Sequence, residues 1–171
     1  MNEIEKKEVE YKSYIEEHVS NVWVSFKRLL ELFGDGMTTS MKTELAARCI
    51  FHDMSKYDIE EFYPYRKNHH PINEEEKKLV KKEYDRAWKR HYTLNDHHWE
   101  HWKIDKKGED VDSNYGEMKV VALLELICDW MAMSIKFNNT VKDYYMKEKK
   151  KIHFHPSTRK LFLKIIEKYD L

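Results

Sequence analysis

The segment MKVVALLELICDWMAMSIK, residues 118–136, is the longest stretch of closely spaced apolar residues in the chain. It contains neither Gly nor Pro, and its spacing predicts a long buried helix between about Tyr115 and Lys136. Glu125 and Asp129 lie one helical turn apart on the face that this spacing buries. Burial of a carboxylate is costly without a partner, so we expect cations or hydrogen-bond donors beside both side chains.

Helical spacing continues outward from this segment in both directions. The apolar residues of the first predicted helix place His18 on its buried face, and those of a later predicted helix place His91 on its buried face in the same way. Before the long helix, the predicted helices run from about Tyr11 to Phe33, from Thr39 or Ser40 to about His52, from Asn73 to about His91, and, as a short helix, from Asn95 or Asp96 to Trp102. They are separated by a short turn from Asp58 to Pro64, a loop from Tyr65 to Ile72 and a charged loop from Lys106 to Asn114. Two further helices, over 141–151 and 157–169, follow the long helix.

The composition favours helices over strands. Four Gly and three Pro among 171 residues are few for a chain of many strands and tight turns. A chain of this length is typical of one domain with its own core. The sequence therefore predicts a single all-α domain, residues 1–171, built as a compact bundle of about six or seven helices.

The charge balance and the cysteines limit the partners and the compartment. Lys plus Arg number 31 and Asp plus Glu number 31, so no net field attracts duplex nucleic acid or an anionic membrane. No apolar run approaches the ~20 residues that span a bilayer, and the N-terminus lacks a signal core. Cys49 and Cys128 lie in apolar stretches without disulfide or zinc spacing. These features predict a cytoplasmic protein and do not indicate its oligomeric state.

Histidine and aspartate residues form an ordered series along the chain. Ten histidines are present, and imidazole together with carboxylate suits Mn, Fe, Co, Ni or Zn. A carboxylate can also bridge two such ions ~3.5–4 Å apart. The competing interpretation of each histidine is a hydrogen-bonded core residue. The series favours a site for one or two divalent transition metals, and its members are His18, His52, Asp53, His91, His97, His98 and Asp129.

Two assignments stay open from spacing alone. His97 and His98 diverge by about 100° if both lie on a helix, so they need not serve the same ion. A helix continuing through Asn95 would align His98 with His91, whereas a break there would leave His97 equally placed. Glu125 has three possible roles: it orients a ligand imidazole, which we favour, or it binds metal, or it acts as a general acid or base.

The segment FHDMSK, residues 51–56, resembles the HDxGK signature of the HD-domain phosphohydrolases, with Ser55 where glycine is common. The resemblance implies a helical bundle, and it implies that Lys56 contacts a substrate phosphate. It also implies two metal positions. The first would be held by His18, His52, Asp53 and Asp129, and the second by His91 with His98 or His97.

Further motifs extend a resemblance over nearly the whole chain. HDMSK, EFYPY, AWKRH, NDHHWEHW, LELICDW and HPSTR are together similar to a family of small bacterial and phage proteins with HDxSK and HHWExW motifs. AWKRH contains His91, and LELICDW contains Glu125 and Asp129. The resemblance implies the cytoplasm of a bacterial cell or a phage-infected host, and it specifies the site better than the substrate.

The ordered metal-binding residues, together with the resemblance to HD-domain proteins, imply a metal-dependent phosphohydrolase that acts on a nucleotide or other small phosphate ester. Asp53, Lys56 and Glu125 are the candidate catalytic residues, because the metals and Lys56 would stabilise charge on the phosphoryl oxygens. Further candidate contacts with the substrate are Arg66, Trp99, His155 and Arg159. For His155 and Arg159, a helix cap with a surface arginine is about equally well supported.

Two other functions fit the same residues. Some HD-fold proteins hold a mixed-valent diiron centre and use oxygen to cleave C–C or C–P bonds, and Tyr14 or Glu17 would then lie beside the iron. The third possibility is a non-catalytic protein that sequesters a nucleotide signal.

Overall fold

Helices form the regular secondary structure in the computed structural model, which describes residues 1–104 and 111–171. Within these residues there is no strand, and an isolated bridge joins Lys103 to Tyr115. The all-α prediction is confirmed. The α-helices are α1 (Glu3–Phe33), α2 (Thr39–Ile50), α3 (Ile59–His69), α4 (Glu74–Leu79), α5 (Lys81–Leu94), α6 (Val120–Phe137), α7 (Val141–Glu148) and α8 (Pro156–Lys168). Short 3-10 turns lie at Gly34–Gly36, Met54–Tyr57, Trp99–Trp102 and Val111–Asn114.

Short polar residues begin several helices. The Asn2 side chain accepts a hydrogen bond from the backbone N–H of Glu5, whose carboxylate accepts one from the N–H of Asn2. The Thr140 side chain begins α7 with the same reciprocal arrangement. The N-cap of α2 is Thr38, one residue before the predicted Thr39, and such differences are normal at helix ends.

Two apolar clusters lie along α1 and locate the polar site between them. The N-terminal half of α1 contributes Tyr11 and Ile15 to a cluster with residues of α3 and α5. The C-terminal half contributes Val22 and Phe26 to the main cluster, which it shares with α2, α6, α7 and α8. Because His18 falls between these two sets, its side chain lies where the two clusters meet.

Helix α3 is longer than predicted: the short turn to Pro64 is wrong, and the loop predicted from Tyr65 to Ile72 is wrong up to His69 and correct from His70 to Ile72. The helix continues through Pro64 to His69. Proline lacks a backbone N–H and normally ends a helix. Here Phe62 and Tyr65, on either side of it, are both buried in the smaller apolar cluster, and that packing outweighs the lost hydrogen bond.

The single helix predicted from Asn73 to His91 is two helices that meet at Val80. Val80 is buried, and α5 runs on to Leu94. This division and the full length of α3 raise the helix count in the described residues to eight, close to the predicted six or seven. Asn95 is extended and ends α5, so the break considered as one alternative is present.

Helix α6 begins at Val120, later than the predicted Tyr115. The chain before it is extended, and the backbone N–H of Met118 donates to Oγ1 of Thr158 at 3.0 Å. Most of the predicted charged loop from 106 to 114 falls outside the described residues. No helix in the described part of the chain is long and apolar enough to cross a bilayer.

Candidate metal centre

The turn after α2 places His52 and Asp53 in the interior. Asp53 adopts the left-handed backbone conformation, with φ 58° and ψ 23°. Aspartate tolerates this region better than most residues, yet a positive φ outside glycine is uncommon and often occurs at functional sites. Both residues are almost fully buried, with 1% and 3% of their surface exposed. A buried charge of this kind requires partners.

The first donor group joins α1, the turn after α2, and α6. His18 Nε2 lies 3.0 Å from Asp129 Oδ1, and His52 Nε2 lies 3.7 Å from the same oxygen. Asp53 Oδ2 is 3.5 Å from His52 Nε2 and 4.0 Å from His18 Nε2. One nitrogen or oxygen from each of His18, His52 and Asp129 lies within 4.8 Å of the others, a spacing that suits one metal ion.

The second donor group uses the other oxygen of Asp53. Asp53 Oδ1 lies 3.2 Å from His91 Nε2 and 3.5 Å from His97 Nε2, and His98 belongs to the same group. Both members of the His97-His98 pair are included because they lie in the turn between α5 and Trp99–Trp102, where the divergence of adjacent helical residues does not apply. Asp53 therefore faces one donor group with each carboxylate oxygen.

Several donor atoms in these groups are buried without a partner. The following atoms make no hydrogen bond to any described residue: His52 Nε2, Asp53 Oδ1, His91 Nε2, His97 Nε2 and His98 Nε2. A buried polar atom left without a partner costs about 1–3 kcal/mol, so five of them in one place are unusual in a core built for packing alone. Divalent cations bound between these atoms would satisfy them, and nitrogen with carboxylate oxygen is a donor set that transition metals prefer.

Glu125 contacts two of the imidazoles at their Nδ1 atoms, on the side away from Asp53. Its Oε1 accepts a hydrogen bond from His52 Nδ1 at 2.9 Å and lies 3.3 Å from His97 Nδ1, while Oε2 accepts one from Arg48 Nε at 2.7 Å. Because both Nδ1 atoms face Glu125, both Nε2 atoms face Asp53. Of the three roles considered for Glu125, this geometry suits orienting the imidazoles, and it also suits metal binding, because His52, His97 and Glu125 each place one ligand atom within 4.8 Å of the others. Arg48 also pairs with Asp96 and so ties the turn containing His97 to α2.

Glu61 holds His91 in the same manner and was not predicted. Its Oε2 accepts hydrogen bonds from His91 Nδ1 at 2.8 Å and from Ser55 Oγ at 2.9 Å. Its Oε1 accepts one from Arg90 at 2.5 Å. The sequence pattern placed Glu61 in the short turn from Asp58 to Pro64 without a role in the site, and its place in the EFYPY motif was the available signal.

Opposite charges and burial set the protonation of the cluster. Burial alone would lower the pKa of His52, but Asp53, Asp129 and Glu125 raise it well above its usual value. Burial would raise the pKa of Asp53, but His52, Lys56 and His91 bring it well below its usual value. His98 differs, because burial and its imidazole neighbours lower its pKa well below 6.5, which favours the neutral form that binds metal.

A cavity of about 270 Å³ opens beside the donor groups, close to the lower end of the range of small-molecule sites. Its polar lining comprises His18, Asp53, Lys56, His98, Glu100 and Asp129 together with Ser134 and Asn139. Its aromatic lining comprises Tyr14, Trp88, Trp99, Trp130, Phe137 and Tyr144. Trp88 and Trp130 thus line this space together with the predicted Trp99. Tyr14, considered for the diiron alternative, also lines it.

Lys56 lies at the junction of the cavity and the donor groups. Its Nζ is 2.6 Å from Asp53 Oδ2, and its side chain is 15% exposed. Burial alone would lower the pKa of Lys56, but the contact with Asp53 raises it above 10.5. The side chain therefore carries a positive charge beside the cavity.

Three predicted substrate contacts lie elsewhere. Arg66 is buried and pairs with Glu76 at 2.8 and 2.9 Å. His155 caps α8 by accepting from the backbone N–H of Ser157, and Arg159 pairs with Asp112 at 2.6 Å. None of Arg66, His155 and Arg159 lines the cavity, so they are not placed to contact a ligand there.

Glu100 was also missed by the sequence analysis, although it lies in the motif NDHHWEHW. It lines the cavity, and its Oε2 is buried without a hydrogen-bond partner among the described residues. Burial raises the pKa of Glu100 to about 7.

A family model described as "Family of unknown function (DUF5662)" matches residues 7–168. Comparison with curated proteins and with solved structures finds no match. The matched range includes every element that supplies the donor groups. Since it leaves out only a few residues at each end, the chain belongs to the DUF5662 family.

Proposed function

We propose that this protein is a divalent-metal-dependent phosphohydrolase of the HD type, acting on a nucleotide or other small phosphate ester. The observation that carries the proposal is the placement of Asp53 between two donor groups, with Lys56 against it and a cavity in front. Two ions bridged by a carboxylate, with a cation beside them, suit the transfer of a phosphoryl group to water.

The residues present fit two divalent ions. His18, His52 and Asp129 would hold one, and His91, His97 and His98 would hold the other, with Asp53 shared. When bound, such ions supply Lewis acidity toward phosphoryl oxygens and an activated water. Glu125 and Glu61 keep the Nε2 atoms of His52, His97 and His91 directed inward, so the donors are oriented before any ion arrives.

Lys56 would bind a substrate phosphate. Its positive charge is held by Asp53 in a fixed place, which removes the cost of ordering a long flexible side chain when the substrate binds. The aromatic walls would enclose the remainder of the substrate and exclude water from the polar end. No second cation among the described cavity-lining residues duplicates this position.

Direct attack by water is favoured over a covalent intermediate on serine. Among the described residues that line the cavity, Ser134 is the one serine, and its Oγ donates to the carbonyl oxygen of Trp130 in the preceding turn. A serine nucleophile requires a neighbouring base to accept its proton. Here the hydroxyl hydrogen is directed to the backbone.

The test is phosphate release by the purified protein loaded with manganese, cobalt, nickel or iron. The substrates are nucleoside mono-, di- and triphosphates and simple phosphate esters. We expect release with at least one metal and none after chelation. A protein that binds metal in stoichiometric amount and releases phosphate from no substrate would contradict the proposal, and oxygen consumption by an iron-loaded sample would then indicate the diiron alternative.

A further inference from the structure

Glu100 is a polar residue of the cavity lining that belongs to neither donor group. Glu100 lies in the 3-10 turn Trp99–Trp102, two residues after His98. The residue lines the cavity, and its Oε2 is buried and makes no hydrogen bond to any described residue. An oxygen in this position has lost its water without gaining a donor, which is unfavourable unless a ligand supplies one.

The surfaces around Glu100 suit a flat ring. Trp88 and Trp99 line the cavity from α5 and the 3-10 turn, and Trp130 and Tyr144 line it from α6 and α7. The rings of Trp130 and Tyr144 lie 4.9 Å apart at an interplanar angle of 74°, so they present two differently oriented apolar surfaces. Aromatic side chains stack on every nucleobase and therefore provide binding energy without choosing among bases. Discrimination among bases requires a polar group, and Glu100 supplies one that has no hydrogen-bond partner among the described residues and lies outside the donor groups.

We propose that Glu100 selects the ring of the substrate, its Oε2 accepting a hydrogen bond from an N–H donor on the nucleobase of a nucleoside 5′-monophosphate. The placement of the phosphate at Lys56 and the metal centre rests on the proposed function. The cavity volume of about 270 Å³ favours a monophosphate over a longer polyphosphate. A site built around one buried acceptor rejects a ring that lacks the donor, because the acceptor then stays unpaired.

The test compares ligands that differ in this donor. The metal-loaded protein is given the four ribonucleoside 5′-monophosphates and purine riboside 5′-monophosphate, whose ring carries no N–H. Affinity is measured by calorimetry, and kcat/KM is measured wherever phosphate is released. We expect at least one natural nucleotide to be preferred over purine riboside 5′-monophosphate by on the order of tenfold or more. Equal binding of all five would overturn the proposal.

Two variants assign the preference to this residue. Glu100→Met replaces the acceptor with an apolar side chain of similar volume. We expect this variant to bind natural nucleotides and purine riboside 5′-monophosphate about equally well, with its affinity for purine riboside 5′-monophosphate unchanged from wild type. Glu100→Gln retains an amide oxygen that accepts, and we expect it to keep a measurable part of the preference. A Glu100→Met protein that binds metal as wild type does and keeps the full preference would overturn the assignment.

The two proposals fail in different ways. Phosphate release without any preference between natural nucleotides and purine riboside 5′-monophosphate would refute the role of Glu100 alone. A preference in binding without phosphate release would refute the hydrolase alone. Metal content and melting temperature of each variant identify any loss that comes from misfolding.

Discussion

At the scale of single residues, the charge of Lys56 is the feature most directly tied to chemistry. We predict that Lys56→Met leaves the metal content unchanged and lowers turnover of phosphorylated substrates by on the order of a hundredfold, the usual effect of losing one well-placed transition-state contact. The reason is that Nζ contacts Asp53 and Lys56 lines the cavity in which we propose that the phosphate binds. Steady-state kinetics with parallel metal analysis measure both quantities.

The matched control is Lys81→Met, which removes a lysine whose side chain is 78% exposed on α5. It should change neither quantity. Turnover of the Lys56→Met protein within twofold of wild type would show that the lysine only balances the charge of Asp53.

At the scale of elements, Glu125 connects α6 to α2 and to the turn after α5. We predict that Glu125→Gln weakens metal binding by about 10–100-fold, because a carboxamide cannot accept from two imidazoles and an arginine as a carboxylate does. Competition with a chelator of known affinity measures the effect. Glu44→Gln, an exposed change on α2, is the control, and equal affinity in both variants would mean that the imidazoles are oriented by packing alone.

The ion pair between Arg66 on α3 and Glu76 on α4 has a structural role. Arg66 is 2% exposed and makes two hydrogen bonds to Glu76, so we predict that Arg66→Leu lowers the free energy of unfolding by roughly 3 kcal/mol. Turnover and metal content should stay as in wild type. Urea denaturation measures the stability, and Arg28→Leu, which breaks an exposed pair with Glu31, should cost less than about 1 kcal/mol. Loss of turnover in the folded Arg66→Leu protein would restore Arg66 as a substrate contact.

The Arg66–Glu76 pair also makes the free energy of unfolding depend on pH, and the direction of the change follows from the pKa of Glu76. Burial would raise the pKa of Glu76, but the hydrogen bonds from Arg66 lower it below 4.5 in the folded protein. A carboxyl group with a lowered folded pKa contributes stability above its unfolded pKa and loses it as the pH falls through the folded value. The difference in free energy of unfolding between wild type and Arg66→Leu should therefore be largest at neutral pH and should decrease below about pH 4.5.

Helical spacing predicted some elements and some site residues correctly, for a physical reason. The spacing along α1 and α5 determines which face is buried, so His18 and His91 are buried as predicted. Spacing carries no information on partners that are distant in sequence. Glu61 contacts His91 from 30 residues away, and Arg66 meets Glu76 only because α3 continues through Pro64. The neighbouring His97 and His98 join one group because a turn, and not a helix, holds them.

At the scale of the whole molecule, the donor groups lie where the two apolar clusters meet, so metal binding and stability should be linked. We predict that chelation lowers the melting temperature by about 5–10 °C, because a ligand at 100 times its Kd adds ~2.7 kcal/mol to a folded protein. Removal of the ions leaves His52, His91 and His97 with unpaired Nε2 atoms. Thermal unfolding with and without chelator measures the shift, and adding the metal back should restore it. A melting temperature insensitive to chelation of a metal-loaded sample would contradict this linkage.

The metal content of the purified protein tests the central claim most directly. Elemental analysis after aerobic and anaerobic purification, with reconstitution by single metals, is compared for wild type, Asp53→Asn and the exposed control Asp85→Asn. We expect close to two ions per chain in wild type and in Asp85→Asn, and at most one in Asp53→Asn, because each oxygen of Asp53 faces a different donor group. A wild-type protein that retains no metal after reconstitution, or a folded Asp53→Asn protein that retains two ions, would contradict the account.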